Sequence, residues 1–202
     1  RADGSKRPLE TALKMCADAG FSNVDLLVPE NEAEQTAEIL ETYALKVNQS
    51  HCPFNRYAKK DYALFAEDIL SAVRSAHRLG SKILVVHGDE FDFSAEAYSE
   101  KAVLKFNYRL FSPAVELLDR FGMKLAFENV FPDMNVPRYC STPEELLTLV
   151  GKFPKETVGI CLDTGHAKVA DDKHYLENIR SYADRVIATH MHDNYYGKDL
   201  HL

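Results

Sequence analysis

Acids and histidines gather where apolar runs end in this chain. They are His51 in QSHCPF, His87 in VVHGDE, Glu128 in AFENV, Asp163 and His166 in LDTGH, and His190 in THMHDN, with Asp199 and His201 following in KDLHL. Imidazole and carboxylate are accepted together by divalent ions such as Zn²⁺ or Mn²⁺, and none of these positions is a cysteine that would suggest a structural zinc knuckle. Each residue alone has a plain structural reading as a helix cap, a turn former or a loop hydrogen-bonder. Independent capping gives no reason for ligand-type residues at five successive junctions, so the set reads as a metal site. Glu128, Asp163 and His190 lead it, because each closes an apolar run. His192 faces inward with His190 if strand alternation continues past it. His77 and His174 fall within or beside helical stretches and read as packing or solvated residues.

The elements that must position this set alternate along the chain. Helical periodicity covers Pro8 to Ala19, about Glu32 to Tyr43, about Tyr62 to Leu79, about Ala95 to Phe121 and about Tyr175 to Ala183. Pro113 should kink or divide the fourth of these. Thr142-Pro143-Glu144-Glu145 combines a capping threonine, proline at the first helical position and glutamate three after the cap, so another helix starts there. Between the helices lie six apolar, strand-like runs: Asn23 to Val28, Leu45 to His51, Ile83 to His87, Lys124 to Asn129, Val158 to Leu162 and Val186 to His190. Strands separated by helices are parallel and buried on both faces.

Two architectures compete. An open doubly wound sheet would normally carry a Gly-rich phosphate turn, and neither GxGxxG nor GxxxxGK[ST] occurs. A (β/α)8 TIM barrel fits better, and its strand ends form one active face. Eight strands would need one before Arg1 and one after Leu202, so the chain is expected to be a single barrel domain over residues 1–202, incomplete at both ends.

Composition narrows the partners. A net charge of −7 over 202 residues provides no basic field for phosphate backbones, which argues against nucleic acid. Arg56, Lys59, Lys60 and Arg138 are the basic residues near the active face, set against Asp89, Glu90, Asp92 and Asp133. The four cysteines, Cys16, Cys52, Cys140 and Cys161, lack CxxC spacing and read as reduced thiols. No signal peptide and no run of about 18 apolar residues is apparent, so a soluble, cytoplasmic protein is expected. Tyr195 and Tyr196 read equally well as pocket lining or loop cover.

The helix ending AGFSNVDL, then SHCPF, VVHG, AFENV, CSTPEEL, GICLDTGH, HMHDN and DLHL resembles the xylose isomerase-like barrels. That superfamily groups sugar-phosphate isomerases and epimerases with apurinic endonucleases of the endonuclease-IV type, also called AP endonuclease family 2. The DTGH motif with the His190/Asp193 pair is its more specific mark. The resemblance implies a divalent metal (Mn²⁺, Zn²⁺, Mg²⁺ or Co²⁺) held by Glu128, Asp163, His190 and a second glutamate on the eighth strand, for which this sequence has no counterpart. It implies an isomerase or epimerase of carbohydrate metabolism that moves a proton through a metal-stabilised enediolate. Glu128 would be ligand and acid/base, and His166 would orient substrate or metal water. Asn129, His192 and Asp193 would contact substrate, while His51, His87, His166, Asp199 and His201 would contact substrate or a second metal. The substrate expected is a small sugar, sugar phosphate or cyclitol, and homo-oligomers are common in such barrels. The endonuclease branch uses the same residues to hold three zinc ions against a phosphodiester, and a dehydratase or a non-catalytic sugar-binding barrel are the remaining alternatives.

Overall fold

The computed structural model describes residues 8–54, 62–133, 135–195 and 197–200. Helix and strand alternate through it. α1 (Leu9–Asp18) leads to β1 (Asn23–Leu26), α2 (Ala33–Thr42) to β2 (Lys46–His51), α3 (Tyr62–Arg78) to β3 (Ile83–His87), and α4 (Glu100–Arg120) to β4 (Lys124–Glu128). α5 (Pro143–Val150) leads to β5 (Val158–Asp163), and α6 (Thr164–Ala170) with α7 (Tyr175–Tyr182) to β6 (Val186–His190). All neighbouring strands are parallel in the order β1-β2-β3-β4-β5-β6. Among the described residues β1 and β6 are the two edges of the sheet. It curls enough for Gln49 Nε2 on β2 to donate to the Thr189 carbonyl on β6, at 3.2 Å.

Side-chain alternation decides what meets what. Leu84, Val86, Leu125, Phe127, Val158 and Ile160 pack toward the helices, with Ile69, Val73, Leu110, Phe111 and Leu146. Full burial of each such side chain is worth about 1.5–3 kcal/mol. Val85, Ala126, Cys161 and Ala188 form a separate cluster on the concave side. Because a strand repeats every two residues, His87, Glu128, Asp163 and His190 point the same way, two residues beyond those four. A small apolar plug thus floors the barrel and the ligand-type residues sit on top of it.

The helix starts follow local chemistry. Thr142 and Glu145 make the expected capping box, with Pro143 in the first turn. α4 begins at Glu100 rather than Ala95, because Ser99 caps it by accepting the Ala102 amide at 3.2 Å. Pro113 does not divide α4. Arg109 and Pro113 lie on the exposed face of the helix, while Leu110, Phe111, Ala114 and Val115 bury the opposite face. α6 follows β5 directly, where helical periodicity gave no helix. Asp163 starts it as a cap, accepting the His166 amide at 2.7 Å. No helix among the described residues is long and apolar enough to cross a membrane. Cys52, Cys140 and Cys161 are buried, and all four cysteines are free thiols.

Candidate metal centre

Glu128 is the hub of the concave face. Its carboxylate, 3 % exposed, stands 3.2 Å from His51 Nε2, 3.4 Å from His87 Nε2, 3.1 Å from His166 Nδ1 and 3.2 Å from His190 Nδ1. Asp163 lies beside it, with Oδ2 3.7 Å from both His166 Nδ1 and His190 Nδ1. His192 Nε2 reaches the Asp163 carboxylate at 2.9 Å. Asp199 Oδ2 is 3.5 Å from His166 Nε2. The sequence-derived set His51, His87, Glu128, Asp163, His166, His190, His192 and Asp199 therefore lines one cavity of about 540 Å³.

Two expected contacts lie elsewhere. Asn129 spends both ends of its amide on the Asp163 backbone, donating to its carbonyl at 2.9 Å and accepting its amide at 2.8 Å. The pair fastens β4 to β5 rather than facing the cavity. Asp193 is exposed and pairs with Lys168 at 3.0 Å. His201, Tyr196, Arg56, Lys59 and Lys60 lie outside the described residues.

Asp25, Phe54 and Phe131 line the cavity without having been singled out in the sequence, whereas Arg138 was expected near this face. Asp25 on β1 reaches the cavity and accepts from Gln49 Nε2 at 3.0 Å. Phe54 stacks on His87 with ring centroids 4.8 Å apart, and Phe131 lies 5.1 Å from the His166 ring. Arg138 lines the wall, but its Nε donates to Asp89 Oδ2 at 2.6 Å, with both side chains buried.

The donor chemistry fits a divalent cation. Three groups, His51/His87/Glu128, Glu128/Asp163/His190 and Asp163/His166/His192, each have ligand atoms within 4.8 Å of one another. His51 Nδ1 lies 2.7 Å from the Cys52 carbonyl, which requires Nδ1 to carry the proton. The Nε2 lone pair of the neutral ring then faces Glu128 Oε2. His166 repeats this, with Nδ1 2.9 Å from the Asn129 carbonyl and Nε2 turned to Asp199. A lone pair against a carboxylate oxygen is repulsive unless a proton or a cation stands between them.

The same crowding perturbs ionisation. Burial alone would raise the Glu128 carboxyl, but hydrogen bonds from His166, His190, His51 and His87 outweigh it and hold Glu128 well below the usual carboxylate range. Burial would lower His166 and His190. Contact with Glu128, and the charge of Asp163 nearby, overcomes this and raises both. These are the interactions a bound cation would take over.

Parallel strands with helices between them, and a cavity at the strand C-termini, define this as a six-stranded half-barrel of the (β/α)-barrel type. The chain belongs to the xylose isomerase-like TIM barrel family, whose model matches residues 13–202. It is 31% identical to an uncharacterised protein of Methanocaldococcus jannaschii over 142 residues, 69% of this chain. That match spans 47% of the archaeal protein's length. A D-tagatose 3-epimerase-like protein has a similar structure, with TM-score 0.78 and 25% identity, over 96% of this chain and 75% of that one. An AP endonuclease, family 2, from Brucella melitensis shares the fold with TM-score 0.74 and 20% identity, over 92% of this chain and 74% of that one.

Proposed function

We propose that this chain belongs to a metal-dependent sugar isomerase or epimerase that moves a proton at the carbon beside a carbonyl. The observation that carries the reading is the convergence of four imidazoles and a second carboxylate on the buried Glu128, inside a cavity sized for a small molecule. Glu128, Asp163 and His190 would hold a divalent cation, Mn²⁺, Zn²⁺, Mg²⁺ or Co²⁺. Such an ion supplies Lewis-acid polarisation of a carbonyl and its neighbouring hydroxyl, and offsets the charge that develops on oxygen.

The chain's own residues do the rest. Glu128 stays ionised at working pH, as both a ligand and a proton acceptor must be. Its depressed ionisation makes it a weaker base than an ordinary carboxylate. The elevated His166, fixed by the Asn129 carbonyl, is suited to donate a proton or hydrogen bond to a substrate oxygen. Phe54 and Phe131 give the wall two apolar surfaces against which a carbon skeleton can lie. A small sugar, sugar phosphate or cyclitol fits this mixture of polar donors and aromatic faces.

A second reading, a zinc phosphodiesterase acting on abasic DNA, is favoured by one observation. The donors form three overlapping groups rather than one. Against it, Arg138 is the cationic side chain lining the cavity among the described residues, and Asp89 neutralises it. A groove that grips successive phosphates needs several unneutralised cations. The test is a panel of ketoses, cyclitols and sugar phosphates, and an abasic-site duplex, each incubated with the metal-loaded protein. Interconversion of a sugar supports the first reading. Metal-dependent nicking of the duplex with no sugar turned over replaces it with the second.

A further inference from the structure

The His87 ring touches the cavity with one edge only. Nε2 lies 3.4 Å from Glu128 Oε2, while Nδ1 turns away toward Asp89 Oδ1 at 3.9 Å. Neither Nδ1 nor that Oδ1 has a hydrogen-bond partner among the described residues, although the two side chains are 9 % and 0 % exposed. At 3.9 Å the two stand just beyond hydrogen-bond length, but both are buried, both are without another partner among the described residues and they face each other, so each is the other's available partner. The other oxygen of Asp89 is fixed by Arg138 Nε at 2.6 Å, and the Arg138 guanidinium is held over Phe131, 4.9 Å from its centroid.

We propose that Asp89, anchored by Arg138, is a positioning residue that fixes His87 in its Nδ1–H form and so turns the Nε2 lone pair toward Glu128 and the cation site. His51 and His166 obey the same rule, each offering Nδ1 to a backbone carbonyl at 2.7 Å and 2.9 Å. His87 has a carboxylate where they have a carbonyl. A carboxylate accepts only, so it forces the proton to Nδ1, and its charge makes the ring a stronger donor through Nε2. Arg138 is therefore not a substrate-phosphate clamp but the outermost member of a chain Arg138–Asp89–His87–Glu128.

Asp89→Asn is a polarity test of that chain. Arg138 Nε donates, so the amide must present its oxygen there and its NH₂ to the ring. His87 Nδ1 then has to accept, and the ring proton moves to Nε2, where it faces Glu128 and blocks a metal. The wrong-tautomer effect of a carboxylate-to-amide exchange beside histidine has this origin.

The consequence for metal binding rests on the metal-site reading, but the tautomer is read without metal, so the two can fail separately. Long-range ¹H–¹⁵N spectra of the metal-free protein, with His87 assigned by its loss in His87→Gln, should show Nδ1 protonated in the wild type, whether or not Nε2 also carries a proton opposite Glu128, and Nδ1 bare in Asp89→Asn. Zn²⁺ affinity should fall by about 10–100-fold in Asp89→Asn. An Nε2–H tautomer in the wild type overturns the proposal, and that spectrum decides even if the variant does not fold. An unchanged tautomer in a folded Asp89→Asn overturns it equally.

Discussion

Asp163 holds His166 twice: Oδ1 accepts the His166 backbone amide at 2.7 Å, and Oδ2 lies 3.7 Å from the His166 ring Nδ1. One carboxylate therefore starts the helix that carries a candidate ligand and also joins that ligand at the cavity. The cap uses Oδ1, while Oδ2 faces the His166 and His190 rings, so one carboxylate can serve as cap and as candidate ligand. Asp163→Asn should keep the cap, since asparagine caps as well as aspartate, and lose metal binding. Asp163→Ala should lose both, at a further cost of about 1 kcal/mol. Urea unfolding of the metal-free variants, set beside their metal titrations, separates the two roles; equal stability of the two variants would remove the cap.

Glu128 and His166 should fail differently. Glu128→Gln removes the carboxylate shared by the two groups His51/His87/Glu128 and Glu128/Asp163/His190, so metal at those two groups and turnover should be lost together while the fold persists. His166→Gln leaves both of those groups intact, so one metal should remain bound while turnover falls by about 10²–10⁴-fold. Metal analysis beside steady-state rates checks this. Full metal content with an unchanged rate in Glu128→Gln contradicts the assignment.

Stability should respond to pH with opposite signs in the two forms. In the metal-free protein His166 and His190 bind protons more tightly than in the unfolded chain, because Glu128 and Asp163 outweigh the penalty of burial. Their contribution is complete below the unfolded imidazole value of about 6.5 and is lost as pH rises through the higher folded values. A cation competes with those protons, so in the metal-loaded protein stabilisation grows with pH over the same window. Melting temperatures from about pH 5 to pH 8, with chelator and with metal, should slope in opposite directions.

Gly165 of α6 packs tightly against the segment after β6. A methyl group there would overlap the His192 ring and stand 2.5 Å from Asn194 Nδ2. Since His192 is held at 2.9 Å from Asp163, Gly165→Ala should push it off that carboxylate. Binding at the Asp163/His166/His192 group should weaken while His51/His87/Glu128 is spared. Crystals of the variant soaked in zinc would show this as lower occupancy at the first group only.

The convergence of His51, His87, Glu128, Asp163 and His190 on one face was legible because each closes an apolar run, and alternation along parallel strands turns equal spacing into a shared face. Asp25 was hidden because it sits inside its run, in NVDL, where an acid reads as an outward residue; curling of the sheet brings it to the cavity. Asn129 misled for a related reason. It follows Glu128 and so faces the opposite way, where it ties β4 to β5. Asp193 sits beyond the strand, where no alternation constrains it. α6 was invisible because its helical start depends on the Asp163 side chain and on Gly165 tolerating His192, both tertiary facts. Phe54 and Phe131 lie in loops after their strands, and loop paths are not written in periodicity.

The most direct measurement is hydrogen exchange at substrate carbon. Metal-loaded protein incubated in D₂O with ketoses and cyclitols should place deuterium at the carbon beside the carbonyl of one of them, and exchange should stop with chelator and in Glu128→Gln. Absence of exchange with every substrate, while an abasic duplex is cut by the same preparation, would contradict proton transfer as the reaction of this site.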